Sequence, residues 1–309
     1  MAKIAVTGGS GFIGSHVVDT LLEAGHTITV IDHCVKPHRC DVSFEDIDIL
    51  DLSSVLAATK GMDYVFHLAA MANVNDVYNF PVSSIALNII GTANVLEAAR
   101  QNGIHRIIFA STVWVYNGSP SSQQLNESST FYLNETGHIY TSTKISAEML
   151  CHNYNQLYKL PFTILRYGIP YGPRMREELL IPIFLKKALN GKPLTISGKG
   201  DQFRKFVYAR DLANAHLLAM KECAENQTYN LEGTQTVTVL DVAKNIQKFV
   251  GSHVSIEFTP ERPGDFSGRK ISAEKAAHDL GWRPTIDFEN GLRFTAEWFC
   301  EKWKRPLRL

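Results

Sequence analysis

The segment Thr7-Gly8-Gly9-Ser10-Gly11-Phe12-Ile13-Gly14 separates a short apolar strand candidate, residues 3–7, from a stretch of helical apolar spacing, residues 13–24. Glycines 9, 11 and 14 fit G-x-G-x-x-G. That spacing allows a tight turn, a close approach of backbone to a pyrophosphate and tight packing of helix on strand. The helix start then offers free N–H groups and a partial positive charge to the phosphates. Asp32 closes the second strand candidate, residues 27–31, eighteen residues after Gly14. A carboxylate there accepts hydrogen bonds from ribose hydroxyls and repels a 2′-phosphate. NAD is therefore expected rather than NADP, with His33, Lys36 and Arg39 close by in the sequence.

The same alternation continues through the first half of the chain. Residues 55–59 read as a short helix, 64–68 as a strand, 92–101 as a helix, 107–110 as a buried strand, 143–158 as a helix and 162–165 as a strand. This β-α rhythm predicts an α/β fold, a Rossmann-type doubly wound parallel sheet covered by helices on both faces. Residues 117–137, rich in Ser, Asn and Thr, read as a long loop of the kind that carries function. From Pro170 the pattern turns irregular. We expect a dinucleotide-binding domain over residues 1–168, with later segments returning to it. Residues 169–309 should then form a smaller mixed α/β region that binds substrate.

A length of 309 residues suits one large or two modest domains. The 45% hydrophobic fraction excludes a disordered or collagen-like chain. With 31 basic and 31 acidic side chains, no global field exists to hold a nucleic acid or an anionic membrane. No run of eighteen apolar residues occurs, so no transmembrane helix is expected; with the balanced charge, neither membrane nor nucleic acid is an expected partner. Five irregularly spaced cysteines and a start without an export signal give the expectation of a reducing, cytoplasmic setting. His33, Cys34, His38 and Cys40 crowd four possible zinc ligands into eight residues, but in no standard spacing. A polar surface loop without metal is the expectation there.

Tyr140 and Lys144 stand four apart at the start of the helix after the long loop. Residues i and i+4 share a helix face, so an ammonium can lie beneath the phenol. A phenol near pKa 10 is a poor base at neutral pH, and a neighbouring cation favours the phenolate. Thr112 follows the buried strand and brings a hydroxyl to the end where parallel sheets present their chemistry.

Taken together, Gly8 to Gly14, Asp48-Ile49, His67-Leu68-Ala69-Ala70, Asn88, Ser111-Thr112, Val115-Tyr116 and Tyr140-x-x-x-Lys144 resemble the extended short-chain dehydrogenase/reductase family. Arg204 to Tyr208 with Asp211-Leu212, Arg262-Pro263-Gly264-Asp265 and Leu280-Gly281-Trp282-Arg283-Pro284 resemble its NAD-dependent nucleotide-sugar epimerase/dehydratase branch, the branch of the UDP-glucose and UDP-galactose 4-epimerases. The match runs in order over nearly the whole chain.

The resemblance implies Thr112, Tyr140 and Lys144 as catalytic residues. It implies a cofactor site built from Gly8, Gly11, Phe12, Ile13, Gly14, Asp32, Asp48, Ile49, Leu68, Ala69, Ala70, Asn88, Tyr140 and Lys144. Asp48 and Ile49 correspond to contacts at the adenine edge, and Asn88 to a residue near the cofactor. Thr112, Trp114, Ile169, Arg204, Arg262 and Arg269 correspond to substrate contacts. The two arginines 204 and 262 match those that grip the nucleotide diphosphate, and Arg269 falls near the position that gates hexose against N-acetylhexosamine. The implied partner is a nucleotide sugar, UDP-linked. Dimerisation through residues 92–100 and 146–158 is expected by analogy, giving a homodimer.

Departures bear on the reaction. Dehydratases of this family place an acidic pair after the catalytic Thr, where this chain has Val113 and Trp114; its decarboxylases also look to an acid there. The familiar Arg-Tyr-x-Asn-x-Tyr-Gly-Pro becomes Arg166-Tyr167-Gly168-Ile169-Pro170-Tyr171-Gly172-Pro173, with Ile169 in a polar contact's place. His138-Ile139 precedes Tyr140 instead of the usual Pro. The leading expectation is an NAD-dependent nucleotide-sugar 4-epimerase working through a transient 4-keto sugar. The alternatives are an NAD(P)H-dependent reductase of 4-keto(-6-deoxy) nucleotide sugars and a cofactor-binding regulatory protein without catalysis.

Overall fold

The computed structural model describes residues 1–120, 122–250, 254–260 and 268–305. The chain divides into two units. The first comprises Met1–Tyr167, Leu212–Leu231 and Lys270–Arg283; the second comprises Gly168–Asp211, Glu232–Arg269 and Pro284–Leu309.

The first unit is built on one seven-stranded parallel sheet. Its strands are β1 (Lys3–Thr7), β2 (Thr27–Asp32), β3 (Ser43–Asp46), β4 (Tyr64–His67), β5 (Arg106–Thr112), β6 (Phe162–Tyr167) and β7 (Gln227–Leu231). They lie in the order β7-β6-β5-β4-β1-β2-β3. The order reverses between β1 and β4, and that reversal opens a crevice at their C-terminal ends where α/β sheets bind ligands. Helices α1 (Phe12–Glu23), α2 (Leu52–Ala58), α3 (Gly91–Asn102) and α4 (Ile139–Tyr158) are the main cover.

Alternation along the strands sends side chains to two cores. Val65, Ile107, Phe109, Phe162 and Ile164 pack with Val95, Leu96 and Ala99 of α3 and Ala147 and Cys151 of α4. On the other side Phe66 stacks on His216, with ring centroids 6.0 Å apart. The helical run Pro81–Asn102 has a mean hydropathy of 1.3 and by length and composition could cross a membrane. Its Val95, Leu96, Ala98 and Ala99 are buried in the sheet's core.

Several boundaries differ from the sequence reading. β5 continues to Thr112, because Ser111 and Thr112 stay in register with Arg166 and Tyr167 of β6. The polar Ser111 is tolerated there since its hydroxyl donates to the Glu148 carboxylate at 2.5 Å. α4 starts at Ile139, four residues early, and so takes Tyr140 into its first turn. β3 has no apolar alternation and is an edge strand, which hides it from a pattern search.

One buried charge network ties this unit together. The Arg166 guanidinium donates to both Glu148 oxygens, from Nε at 2.9 Å and Nη2 at 2.6 Å. Its Nη1 donates to the Tyr116 hydroxyl at 2.5 Å. The Tyr116 hydroxyl, with one proton to give, has two acceptors in reach, the Asn126 carbonyl at 2.9 Å and the Asn230 side-chain oxygen at 3.1 Å. Glu148 and Arg166 are 2% and 4% exposed, so neither has water to fall back on.

The second unit has its own aromatic core. Ile169–Tyr171 pairs in parallel with Phe206–Tyr208, and Leu194–Ser197 pairs in parallel with Ile256–Thr259. Phe288 stands 5.2 Å from Tyr171 and 5.1 Å from Phe206, ring centre to ring centre. Gly291 leaves room for this cluster, since a Cβ there would lie 2.1 Å from the Tyr171 hydroxyl.

Removing one member of a buried ion pair strands the other's charge, at a cost of about 3–5 kcal/mol. Arg166→Met is expected to lose that much stability in urea denaturation. The double variant with Glu148→Met is expected to recover a large part of it.

Candidate active site

The glycine loop is shaped by what no side chain could share. Gly8 sits at φ +71, and a Cβ there would meet the Ala69 amide nitrogen at 2.6 Å. A Cβ on Gly14 would lie 2.0 Å from the Gly8 carbonyl oxygen. Gly8 and Ala69 follow β1 and β4, the two strands at the switch point, so Leu68, Ala69 and the glycine loop form one wall. α1 begins at Phe12 with Gly11 as its N-cap, no capping side chain and no acidic residue in the first turn. Its exposed N–H dipole ends suit a pyrophosphate.

Asp32 lies at the end of β2 beside this loop. Its carboxylate accepts from the Ser10 amide at 2.9 Å and the His33 amide at 3.0 Å. Burial pushes its carboxyl above the ordinary range, opposed by those backbone hydrogen bonds. A carboxylate takes up to about four hydrogen bonds, so acceptor capacity remains for a ribose diol. Asp48 follows from the neighbouring edge strand and accepts from the Leu50 amide at 2.9 Å. The Ile49 side chain is buried under α3, where Gly91 makes room for it. Its carbonyl accepts from Asn94 at 2.9 Å. The site therefore fits a dinucleotide by shape, by donor supply and by the position of its acid.

Behind the crevice runs a chain of hydrogen bonds whose directions can be assigned. Thr92 donates to the Asn88 carbonyl at 2.7 Å, so its oxygen must accept from His67 Nε2 at 2.9 Å. His67 Nδ1 then accepts from the Thr7 hydroxyl at 2.7 Å, and Thr7 Oγ1 accepts from the Ala69 amide at 3.3 Å. Burial, with the Lys144 cation nearby, drives the His67 pKa down to about 3, so the ring stays neutral as this assignment requires. Asn88 lies in a π-helical turn, Ala86–Ile90. Its carboxamide accepts from the Met71 amide at 2.8 Å and donates to the Met71 carbonyl and to Thr143 Oγ1. Asn88 thus clamps the loop after β4 to the first turn of α4, and Thr143 donates on to the Tyr140 carbonyl at 2.8 Å. Thr7, Met71 and Thr143 escaped the sequence reading. Their signal was only adjacency to the glycine run, to Ala70 and to Lys144.

The three catalytic candidates belong to β5 and α4. Lys144 is 4% exposed, donates to the Ala110 carbonyl at 2.8 Å and stands 4.7 Å above the Phe109 ring. Burial lowers its pKa to about 8, against the opposing pull of Glu148. An ammonium has three donors, so two remain for ligand. Tyr140 shares its face one turn earlier, half-buried, with Trp114 edge-on at 6.3 Å. Thr112 is 7% exposed, and its Oγ1 accepts from the Trp114 amide at 3.2 Å. That bond leaves the hydroxyl proton available. Trp114 also packs against His138, ring centres 4.8 Å apart.

The second unit carries the other candidates. Ile169 is half-buried in a strand, opposite Phe206. Arg204 pairs across an antiparallel ladder with Val237 and donates to the Phe203 carbonyl. Arg269 is half-buried. Arg262 lies outside the described residues.

Lys144 binds its proton less tightly when folded, about 8 against 10.5 unfolded. Between those values the unfolded chain holds more protons, so stability rises with pH across the window. Below pH 8 both states are charged and the burial cost is at its full size. The stability advantage of Lys144→Met over the parent, measured without ligand, is expected to shrink by about 3 kcal/mol from pH 8 to 10.5.

Residues 4–231 match the model of the NAD dependent epimerase/dehydratase family. UDP-glucuronic acid decarboxylase 1 of Danio rerio is 32% identical over 97% of this chain and 73% of that protein. The UDP-glucose 4-epimerase of Thermotoga maritima, solved with UDP-glucose, superposes with a TM-score of 0.90 at 31% identity, covering 97% of this chain and 99% of that one. The UDP-glucose 4-epimerase of Thermus thermophilus, solved with NAD, gives 0.85 at 32% identity over 96% and 98%. The chain belongs to the NAD-dependent epimerase/dehydratase family of nucleotide-sugar enzymes.

Proposed function

We propose that this protein is an NAD-dependent 4-epimerase of a UDP-linked hexose. The observation that carries the reading is the pair Val113-Trp114 directly after Thr112, with Trp114 packed between His138 and Tyr140. Elimination of water across C5 and C6 needs a proton donor and acceptor beside the sugar, and this turn supplies an apolar wall instead. Epimerisation at C4 needs only one shuttled proton. The likeness to the Thermotoga maritima UDP-glucose 4-epimerase supports the same choice.

The chain's part is positioning and proton transfer. The glycine loop and the start of α1 would hold the pyrophosphate, Asp32 the adenosine ribose, and Lys144 the nicotinamide ribose. NAD, when bound, would supply the hydride acceptor and donor for the sugar carbon. Tyr140 takes the proton of the sugar 4-hydroxyl, directly or through Thr112, as the 4-keto sugar forms. Lys144 favours the phenolate by its charge. The keto sugar presents its other face, and Tyr140 returns the proton to O4 of the opposite configuration. The family resemblance assigns Arg204 and Arg262 to the diphosphate, which their fixed forks of donors suit, and Trp114, Ile169 and Arg269 to the sugar.

A second reading, reduction of a 4-keto-6-deoxy nucleotide sugar, draws on apolar Trp114 and Ile169, which suit a C6 methyl better than a hydroxyl. We also propose a homodimer through α3 and α4. Met149, Leu157 and Tyr158 of α4 are more than half exposed on a helix whose opposite side is core.

Incubation with NAD and UDP-glucose, followed by NMR at C4, is expected to give UDP-galactose without net NADH. Turnover only with NAD(P)H and a 4-keto nucleotide sugar would install the reductase. Tyr140→Phe is expected to lower turnover by at least about a hundredfold while NAD binding persists. Paired Met149→Glu and Leu157→Glu substitutions should yield monomers in sedimentation, and an unchanged mass would remove this helix face from the interface.

A further inference from the structure

Among the described residues His33, Cys34, His38 and Cys40 do not gather around one point. His38 turns to Asp19, Nε2 to Oδ1 3.1 Å, and Arg39 engages Asp41 and Asp19. What assembles instead is His33, Cys34 and Asp46, the last from the end of edge strand β3. One donor atom from each lies within 4.8 Å of the other two. The Cys34 sulfur is 3.4 Å from His33 Nε2, and Asp46 Oδ1 is 3.5 Å from His33 Nδ1.

We propose that these three side chains form a site for a divalent transition metal, zinc by the chemistry of the donors. Neighbouring donors on a tetrahedral zinc ion, with bonds of about 2.0–2.3 Å, stand about 3.3–3.8 Å apart. The two short approaches are to different nitrogens of the His33 ring, and an ion takes only one of them, so Cys34 or Asp46 must swing in from as far as 4.8 Å, a rotation open to exposed side chains. One imidazole nitrogen, one thiolate and one carboxylate are zinc's ordinary ligands, and the fourth position is left to water or an anion.

The backbone builds this arrangement. Asp46 stands in register with Asp32 across β2 and β3. Its Oδ1 also accepts from the Cys34 amide at 3.0 Å, which holds the carboxylate against the turn. Cys34 itself adopts φ 61, a conformation that side-chain-bearing residues rarely take. The turn thereby brings consecutive residues 33 and 34 to one carboxylate, which two neighbours in an extended strand could not do. The basic residues that could compete, His38 and Arg39, are engaged with Asp19 and Asp41.

The test uses the full chain, reduced and stripped of metal, titrated with cobalt(II). A thiolate-to-cobalt charge-transfer absorption is expected to saturate at one ion per chain and to vanish when zinc is added. Cys34→Ser should abolish the band. His33→Gln and Asp46→Asn should each weaken zinc binding on the order of tenfold or more. Cys223→Ser, at another exposed thiol, should leave the band unchanged. No band, a band that survives Cys34→Ser, or binding indifferent to both His33→Gln and Asp46→Asn would overturn the site. Metal binding is read directly, so the result stands whichever sugar reaction the protein performs.

Discussion

The backbone leaving β1 passes the backbone leaving β4 so closely that a single added Cβ at Gly8 would collide with Ala69. The first unit depends on that approach. It brings the glycine loop and the Leu68-Ala69-Ala70 loop to one crevice, and the Thr7–His67–Thr92 chain fixes their spacing from behind. A neutral imidazole is the right bridge there. It donates on one side and accepts on the other, whereas an imidazolium would leave Thr7 facing a second donor. Asn88 then carries the same alignment to α4 through Met71 and Thr143, so cofactor wall and catalytic helix are set by one network.

Charge is arranged around α4 with comparable economy. Lys144 and Glu148 lie one turn apart and are both buried, and Glu148 is also bound by Arg166. Burial alone would drive the Lys144 proton away; the Glu148 charge moderates that, leaving a pKa of about 8. A group so balanced stays largely charged near neutrality while answering strongly to added charge nearby, since low-dielectric surroundings amplify each interaction. Ser111 joins the same carboxylate, which explains how β5 continues through polar residues to place Thr112 at its C-terminal end.

Much of this was legible in the chain itself, because the relevant signals are local. The strand–glycine–helix run, the parallel alternation, Asp32 at the end of β2 and the i, i+4 pair on α4 depend on spacings of a few residues, and backbone geometry translates these directly into shape. The resemblance added order over the whole length and so brought the nucleotide-sugar family within reach. Edge strand β3 and the π turn at Ala86–Ile90 left no such trace. An edge strand need not alternate, and a π turn differs from an α turn only in which carbonyl is met.

Tertiary structure alone decided the pairings between distant residues. No spacing rule joins Thr7 to His67, Asn88 to Thr143, Glu148 to Arg166, or Asp46 to a turn twelve residues upstream. The His33–Cys34 run is the sharpest instance: its obvious sequence neighbour His38 went to Asp19, and its new neighbour came from the next strand. Local backbone chemistry set the elements and the cofactor loop. Which polar groups meet was fixed only when the sheet closed, because a buried donor or acceptor must find whatever partner the packing leaves beside it.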